Sequence, residues 1–276
     1  MKRNTSASVK RSQQEEMQEF KMGLTKWVLK YAVPVPKVES FERYLFIGPH
    51  PDDIEIGAGA TAAKLVAMGK EVCFLVCLDG RFGEGNTQLR GQELIDKRKE
   101  ESIRSAEALG VKDVRFLDMK DGGGYKKKEL LKGIAKAVGE FGPDMIFAPD
   151  PCVNSECHVD HLNVGEAARQ IACFAAYPGI MAEYKAKAAP VKALGYYMTA
   201  KPNRFVKTTG YLKLQLKAVF ENHLSQFPEG CQEASSIQLY LKLRAIEFGI
   251  RSFKGCAEGF RVLGTTHMHC LPEAGN

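Results

Sequence analysis

The stretch "RYLFIGPHPDDIEIGAGATAAKLVAMGKEVCFLVCL" (residues 43–78) carries the pattern that decides the fold. It opens with an apolar run at 43–48 and closes with another at 71–78, both rich in residues that favour β-strands. Between them, the segment "GAGATAAKLVAMG" (57–69) is predicted to form a helix. Two buried strands joined through a helix make a βαβ unit, so this stretch predicts a parallel pairing of strands.

The alternation of strands and helices continues beyond this unit. The patterns predict further strands at 113–118, 143–149, 193–199 and 258–263, and further helices at 91–110, 127–141, 161–176, 211–226 and 236–253. We therefore predict an α/β, Rossmann-like fold with a mostly parallel sheet and helices on both of its faces.

The chain is organised around one large segment. Its 276 residues are 45% hydrophobic, which is enough for one sizeable core. We predict a polar N-terminal segment and helix at 1–39, disordered over 1–14 and helical over 15–32. A single domain follows at 40–265, and a C-terminal tail at 266–276.

Composition and charge argue against several classes of partner. The net charge of +6 is mild, and no basic run with interleaved aromatic residues indicates binding to nucleic acid. No stretch approaches 18 consecutive apolar residues, so no membrane span is expected. The polar N-terminus is not of the signal-peptide type, and the eight cysteines lack regular spacing, so we expect a reducing, cytoplasmic location.

The residues that follow the first strand allow two interpretations. Gly57, Gly59 and Ala62 match the G-x-G-x-x-A pattern of a dinucleotide-binding turn, and Asp79 stands where a ribose-binding carboxylate is expected. Those glycines should form the tight turn directly after the strand. The strand ends near Gly48, however, and "PHPDDIEI" comes in between. The pattern is therefore weak, and an NAD-binding oxidoreductase is kept only as an alternative.

The second interpretation is a metal site. Histidine and aspartate side chains follow two strands of the predicted sheet, and the carboxyl ends of such strands are where α/β proteins bind ligands. The side chains are His50, Asp52 and Asp53 after the first strand, and His158, Asp160 and His161 after the fourth. Two histidines and one carboxylate form the ligand set of a catalytic zinc site. A polar turn in which an aspartate caps the next helix would explain the first group alone, but not both groups.

The same residues carry a resemblance to a known family. "GPHPDD" and "CHVDH" resemble the paired motifs of the PIG-L (LmbE-like) N-acetylglucosaminyl deacetylases. The similarity extends over about residues 40–265, through "DGRFGE", "RKEESIRSAEALGV", "FAPDP", "KAVFENHLSQFP" and "AEGFRVL", and is strongest to the diacetylchitobiose deacetylases. Val159 and Leu78 depart from the family pattern, and neither is a ligand position.

The resemblance implies a role for each site residue. His50, Asp53 and His161 match the ligands of Zn²⁺ or of another divalent transition metal. Asp52 matches the general base, and His158 the residue that steadies the oxyanion or protonates the leaving amine. The family's sugar contacts match Arg98 and Asp121, while Asp160 would orient a histidine from behind.

The function implied by the resemblance is zinc-dependent hydrolysis of the N-acetyl group of small GlcNAc-containing saccharides or conjugates. A metal-bound water would act as the nucleophile and Asp52 as the base. The main alternative is a metal-dependent amidohydrolase acting on another small N-acyl compound. A metal-binding protein without activity is a further alternative, but it would have no use for Asp52 as a base. A serine hydrolase is disfavoured because the chain has no G-x-S-x-G motif.

The resemblance also implies assembly. The diacetylchitobiose-type relatives are homo-oligomers, typically hexamers. The tail carries His267 and His269, which can exchange protons near neutral pH. We therefore predict that the tail packs along a subunit interface and sets His269 at the rim of a neighbour's substrate pocket.

Overall fold

The computed structural model of the protein describes residues 28–29, 31–269 and 271. The predicted disorder at 1–14 and most of the predicted helix at 15–32 lie outside these residues. Residues 28–29 and 31–32 are helical.

A seven-stranded sheet forms the centre of the fold. Its strands are β1 (Arg43–Gly48), β2 (Glu71–Leu78), β3 (Asp113–Met119), β4 (Met145–Pro149), β5 (Ala193–Tyr197), β6 (Arg204–Lys207) and β7 (Ala257–Gly264). They are ordered β3-β2-β1-β4-β5-β7-β6. The first five strands pair in parallel, and β7 pairs antiparallel with both β5 and β6. The predicted mostly parallel α/β sheet is confirmed.

Seven helices connect and cover the strands in the described part of the chain after residue 40. They are α1 (Asp53–Ala67), α2 (Gly91–Ala108), α3 (Lys127–Phe141), α4 (Val159–Phe174), α5 (Pro178–Glu183), α6 (Leu212–Asn222) and α7 (Gln232–Ser252). None of them is both long and apolar enough to cross a lipid bilayer.

Several predicted boundaries need correction. Helix α1 begins four residues earlier than predicted, at Asp53, because the turn after β1 is completed by Asp52 with a φ of 113°. The helix predicted at 211–226 ends at Asn222, where a turn toward Pro228 takes over. The short elements β6 and α5 were not predicted, since four and six residues give too little periodicity to detect.

Hydrophobic residues cover both faces of the sheet. Alternate residues of β1 point to opposite faces, so Leu45 and Ile47 pack with α3 and α4, while Tyr44 and Phe46 pack with α1 and α6. All four side chains are fully buried. The helices therefore lie on both faces, as predicted.

The strand order determines where a site can form. Strand β1 lies between β2 and β4, and the chain leaves β1 and β4 toward opposite sides of the sheet. A crevice opens at the carboxyl ends of two strands at such a point. The "HPDD" and "CHVDH" segments follow β1 and β4 at this crevice.

The glycines of the dinucleotide-like pattern have a packing role. Gly57 and Gly59 lie inside α1 rather than in the turn after β1. A Cβ at Gly57 would stand 2.3 Å from the ring of Tyr197, and one at Gly59 would stand 3.2 Å from Gln215. The carboxylate of Asp79 is held by the side chain of Arg81. The dinucleotide interpretation is therefore wrong on geometry: small residues are needed here so that α1 can approach β5 and α6.

Candidate active site

The turn after β1 sends two adjacent aspartates in different directions. Asp52 occupies the N-cap position of α1, yet its carboxylate makes no capping hydrogen bond. Its positive φ is unusual for a residue with a side chain, and such strain is concentrated at functional sites. The carboxylate of Asp53 turns back and accepts a hydrogen bond from the backbone N–H of His50 at 2.9 Å. The turn thus separates two carboxylates that are neighbours in the chain.

Asp53 stands between two histidines from different strands. Its Oδ2 lies 3.1 Å from Nδ1 of His50, and its Oδ1 lies 3.4 Å from Nε2 of His161. Ligand atoms of these three residues all lie within 4.8 Å of one another. The structure therefore brings together the three predicted metal ligands, and their donor set of two imidazoles and one carboxylate suits zinc.

A second carboxylate lies behind each histidine. Oδ2 of Asp160 is 3.1 Å from Nε2 of His50, and Oε2 of Glu156 is 3.1 Å from Nδ1 of His161. Asp160 is itself held by the backbone N–H groups of Gly122 and Gly123. Such outer carboxylates fix the orientation and tautomer of histidines that bind metals. Asp160 was predicted for this position, whereas Glu156 was not, although it lies two residues before His158.

The electrostatics of the cluster favour positive charge. Burial opposes protonation of His50, but Asp160 and Asp53 outweigh it and raise its pKa to about 10. Burial alone would raise the pKa of Asp53, but His161 and His50 lower it well below its usual range. A site that holds protons on imidazoles in this way also fits a divalent cation, which would replace those protons.

Asp52 lies beside this cluster, with Arg98 of α2 beneath it. Nη2 of Arg98 lies 3.2 Å from Oδ2 of Asp52 and also donates to the carbonyl of Pro51 at 2.8 Å. Nη1 donates to the carbonyl of Gly80 at 3.0 Å. Burial raises the pKa of Asp52 to about 6, and Arg98 acts against this rise. Arg98 was predicted to contact the sugar. In the structure its terminal nitrogens contact Asp52 and the carbonyls of Pro51 and Gly80 instead.

His158 lies at the mouth of the site and is half-exposed. Its ring stacks on that of His161 with centroids 4.8 Å apart, and its Nδ1 accepts a hydrogen bond from the backbone N–H of Asp160. That bond leaves Nε2 as the nitrogen that can reach a ligand. Burial and the nearby histidines lower the pKa of His158.

A cleft of about 260 Å³ opens over these groups. It is lined by His50, Asp52, Phe82, Gly83, Arg98, Asp121, Gly122, His158, Asp160 and Gln226. The predicted sugar contact Asp121 is buried, and its Oδ2 accepts a hydrogen bond from the backbone N–H of Phe82 at 3.3 Å. Its Oδ1 has no hydrogen-bond partner among the described residues.

The "HLSQFP" segment (223–228) supports the cleft from behind. His223 is fully buried, with Nε2 3.2 Å from Oε1 of Glu55. Ser225 donates to the carboxylate of Glu101 through both its backbone N–H and its hydroxyl. His223 was predicted only as a packed or outer residue, and Gln226 was not singled out, because their partners come from distant parts of the chain.

The tail histidines lie elsewhere in the single chain. His267 is tied to its own chain, since Nδ1 accepts from the N–H of Gly264 and Nε2 lies 3.1 Å from the carbonyl of Val33. His269 is exposed and lines a different cavity, together with Arg169 and Tyr196. The predicted place of His269 at a neighbour's pocket remains a prediction.

The fold and the site together define a class of α/β proteins with a His/Asp cluster at the carboxyl ends of adjacent parallel strands. Residues 45–172 match the PIG-L family, described as GlcNAc-PI de-N-acetylase. Over 236 residues the chain is 36% identical to a diacetylchitobiose deacetylase of Thermococcus kodakarensis, covering 84% of this chain and 87% of the relative. The chain belongs to the PIG-L family, and it is a hydrolase of amide C–N bonds.

Solved structures agree with this assignment. An N,N'-diacetylchitobiose deacetylase from Pyrococcus horikoshii, in complex with an inhibitor, matches with a TM-score of 0.80 and 31% identity over 92% of this chain and 96% of that chain. A 4-carboxy-2-hydroxymuconate hydratase from Pseudomonas putida matches with a TM-score of 0.65 and 19% identity over 80% of this chain and 96% of that one. The likeness to the hydratase shows the fold alone, because proteins that share a fold can act on different substrates.

Proposed function

We propose that the protein is a metal-dependent deacetylase that removes the N-acetyl group from small GlcNAc-containing saccharides or conjugates. The names of the two deacetylase relatives support this substrate class. The observation that carries the proposal is the separation of Asp52 from the cluster of His50, Asp53 and His161. One carboxylate is left free to move protons while the other three groups hold a cation.

His50, Asp53 and His161 would hold the metal, with Zn²⁺ the cation that best suits their nitrogen and oxygen donors. When bound, such an ion lowers the pKa of a water molecule to about 7 and polarises a carbonyl group. Asp160 and Glu156 fix the two histidines in the orientation required.

The proton steps fall to Asp52 and His158. Asp52 takes a proton from the water as its oxygen attacks the acetyl carbon, and Arg98 keeps the carboxylate in place. His158 donates a hydrogen bond through Nε2 to the acetyl oxygen as negative charge develops there. The C–N bond then breaks, and the proton held by Asp52 passes to the sugar nitrogen. Acetic acid and a free amine are formed, and the second proton of the water stays on the acid until it dissociates to acetate.

The test is to incubate the purified protein with a panel of N-acetylated sugars and to measure acetate and free amine. We expect hydrolysis of N,N'-diacetylchitobiose or a related sugar, with about one divalent ion per chain. A chelator should abolish turnover, and zinc or cobalt should restore it. Full activity after verified removal of the metal would exclude this mechanism. Hydrolysis of other N-acyl compounds alone would favour the broader amidohydrolase.

We further propose that the protein acts in the cytoplasm as a homo-oligomer, a hexamer by resemblance. The seven described cysteines are all free thiols, which suits a reducing compartment. The outer face of α7 exposes large apolar side chains at intervals of four, three and four residues, namely Leu239, Leu243, Ile246 and Ile250. That spacing is the seam of paired helices, which supports contact with a second copy of the chain.

A further inference from the structure

One aromatic side chain at the cleft has no part in the chemistry proposed above. Phe82 follows β2 and is 57% exposed, although it lines the same cleft as Asp52 and Asp121. Among the described residues that line the cleft, it is the one with an apolar side chain. Scattered exposed apolar residues are normal on surfaces. A phenyl ring among polar side chains is different, because it gives the cleft one apolar wall.

The turn that carries Phe82 is braced on both sides. Its own N–H donates to Asp121, and the carbonyl of Gly80 before it accepts from Arg98. The carbonyl of Gly83 after it accepts from Nε2 of Gln226 at 2.9 Å, and the N–H of Gly83 donates to Gly80 at 3.1 Å. These hydrogen bonds hold the backbone that carries the ring, so little ordering of the turn is needed when a ligand covers the ring.

The surroundings fix where the ring stands relative to the cluster. A Cβ at Gly122 would lie 3.1 Å from the ring, so the glycine lets the ring rest on the loop that carries Asp121. Lys120 places its ammonium 5.7 Å from the ring centroid. Asp121 is only 4% exposed, and its buried Oδ1 has no hydrogen-bond partner among the described residues. Asp121 is therefore buried in the cleft, whereas Phe82 stands at its rim.

A sugar matches this arrangement. The acetamide must lie at the cluster, and the hydroxyl groups of its own ring come within reach of Asp121. A pyranose also has a C–H face that is apolar and that an aromatic ring can cover. Whatever is attached to the acetylated ring must pass the rim, where Phe82 offers a flat apolar surface.

We propose that Phe82 is the platform on which the second ring of the substrate stacks, so that the cleft selects N-acetylated disaccharides over the monosaccharide. This inference rests on the proposed deacetylase function. It assigns Phe82 to binding of the second ring and to no proton transfer.

The test compares Phe82→Ala with Phe82→Tyr, using Phe253→Ala as the matched control. Phe253 is 98% exposed on the turn after α7 and does not line the cleft. We expect Phe82→Ala to raise the KM for N,N'-diacetylchitobiose about tenfold, with kcat and the KM for GlcNAc within about twofold of wild type. Phe82→Tyr and Phe253→Ala should both resemble wild type. An unchanged KM for the disaccharide, or equal losses on both sugars, would overturn the proposal.

A binding experiment separates this proposal from the deacetylase function. Calorimetry with the fully deacetylated disaccharide needs no turnover, and Phe82→Ala should weaken its binding about tenfold. If the wild type hydrolyses neither sugar, the proposed function is wrong. The calorimetry still tests whether Phe82 contributes to disaccharide binding. Disaccharide binding that is absent, or equal in wild type and Phe82→Ala, would refute the platform.

Discussion

At the scale of single residues, the proposed mechanism depends on two adjacent aspartates that have different neighbours. Asp53 lies between His50 and His161, while Asp52 faces Arg98. The positive φ of Asp52 is what turns the two carboxylates apart. The backbone of a four-residue turn therefore determines this division between the two carboxylates.

This division predicts distinct phenotypes for two isosteric changes. Asp52→Asn should retain the fold and the bound metal but lose at least about 10²-fold in kcat, because the amide cannot take up a proton. Asp53→Asn should instead weaken metal binding, since it removes an anionic ligand. Metal content by mass spectrometry and turnover of an N-acetylated sugar would measure both effects. The control is Asp118→Asn, an exposed carboxylate paired with Lys99. Exchange of the two phenotypes would reverse the assignment.

Much of the site was predictable at this scale, because "HPDD" and "CHVDH" are local motifs at strand ends. The tertiary contacts of those motifs were not predictable, and Arg98 was named only as a sugar contact. Arg98 reaches Asp52 across 46 positions of the chain, and His223 reaches Glu55 across 168. Side chains that meet only through tertiary packing leave no local pattern in a single sequence.

At the scale of elements, the approach of α1 to β5 depends on a glycine. A Cβ at Gly57 would stand 2.3 Å from Cδ2 of Tyr197, a side chain that is fully buried and donates its hydroxyl to the carbonyl of Ile47. Tyr197 therefore has little room to retreat. On the other side of α1, Gln215 and Glu258 bond to its backbone. The helix is held from two directions.

We expect Gly57→Ala to destabilise the protein by about 1–3 kcal/mol through overpacking. The higher helix propensity of alanine, about 1 kcal/mol, offsets only part of this loss. Gly179→Ala is the matched control, because it lies in α5 with no atom within 4 Å of the added Cβ. Chemical denaturation should show no loss of stability for the control. Equal stability of the two variants would contradict the packing role of Gly57.

The predictability of elements followed their length and periodicity. The long helices and the central strands of the parallel sheet were predicted within a few residues. Burial on one or both faces of an element requires hydrophobic residues at a regular spacing or in a continuous run, and that pattern is visible in the sequence. Strand β6 was missed because its four residues, half-buried at the sheet edge, carry no clear alternation.

At the scale of the whole molecule, the tail raises the question of assembly. Deleting residues 265–276 should lower turnover while the metal is retained. It should also change the number of chains per assembly, as measured by light scattering. The reason is that both ring nitrogens of His267 contact its own chain, whereas His269 is exposed and would be available to a neighbour in the proposed assembly. His269→Ala, with its fold otherwise intact, should lower turnover without changing the number of chains per assembly. If the truncated protein has the same turnover and the same number of chains per assembly as the wild type, the tail has no role in catalysis.

The pairing of β1 with β4 has a consequence for how the protein is made. Tyr44 pairs with Met145, so the strands that precede His50 and His161 meet across about a hundred intervening residues. Contacts at such separation form late, because the entropy of closing the loop must be overcome first. A nascent chain emerging from the ribosome would therefore lack the complete cluster of His50, Asp53 and His161 until α4 has been synthesised and β4 has joined the sheet. Newly made protein would therefore offer a cation all three of the proposed ligands only after the centre of the sheet has formed.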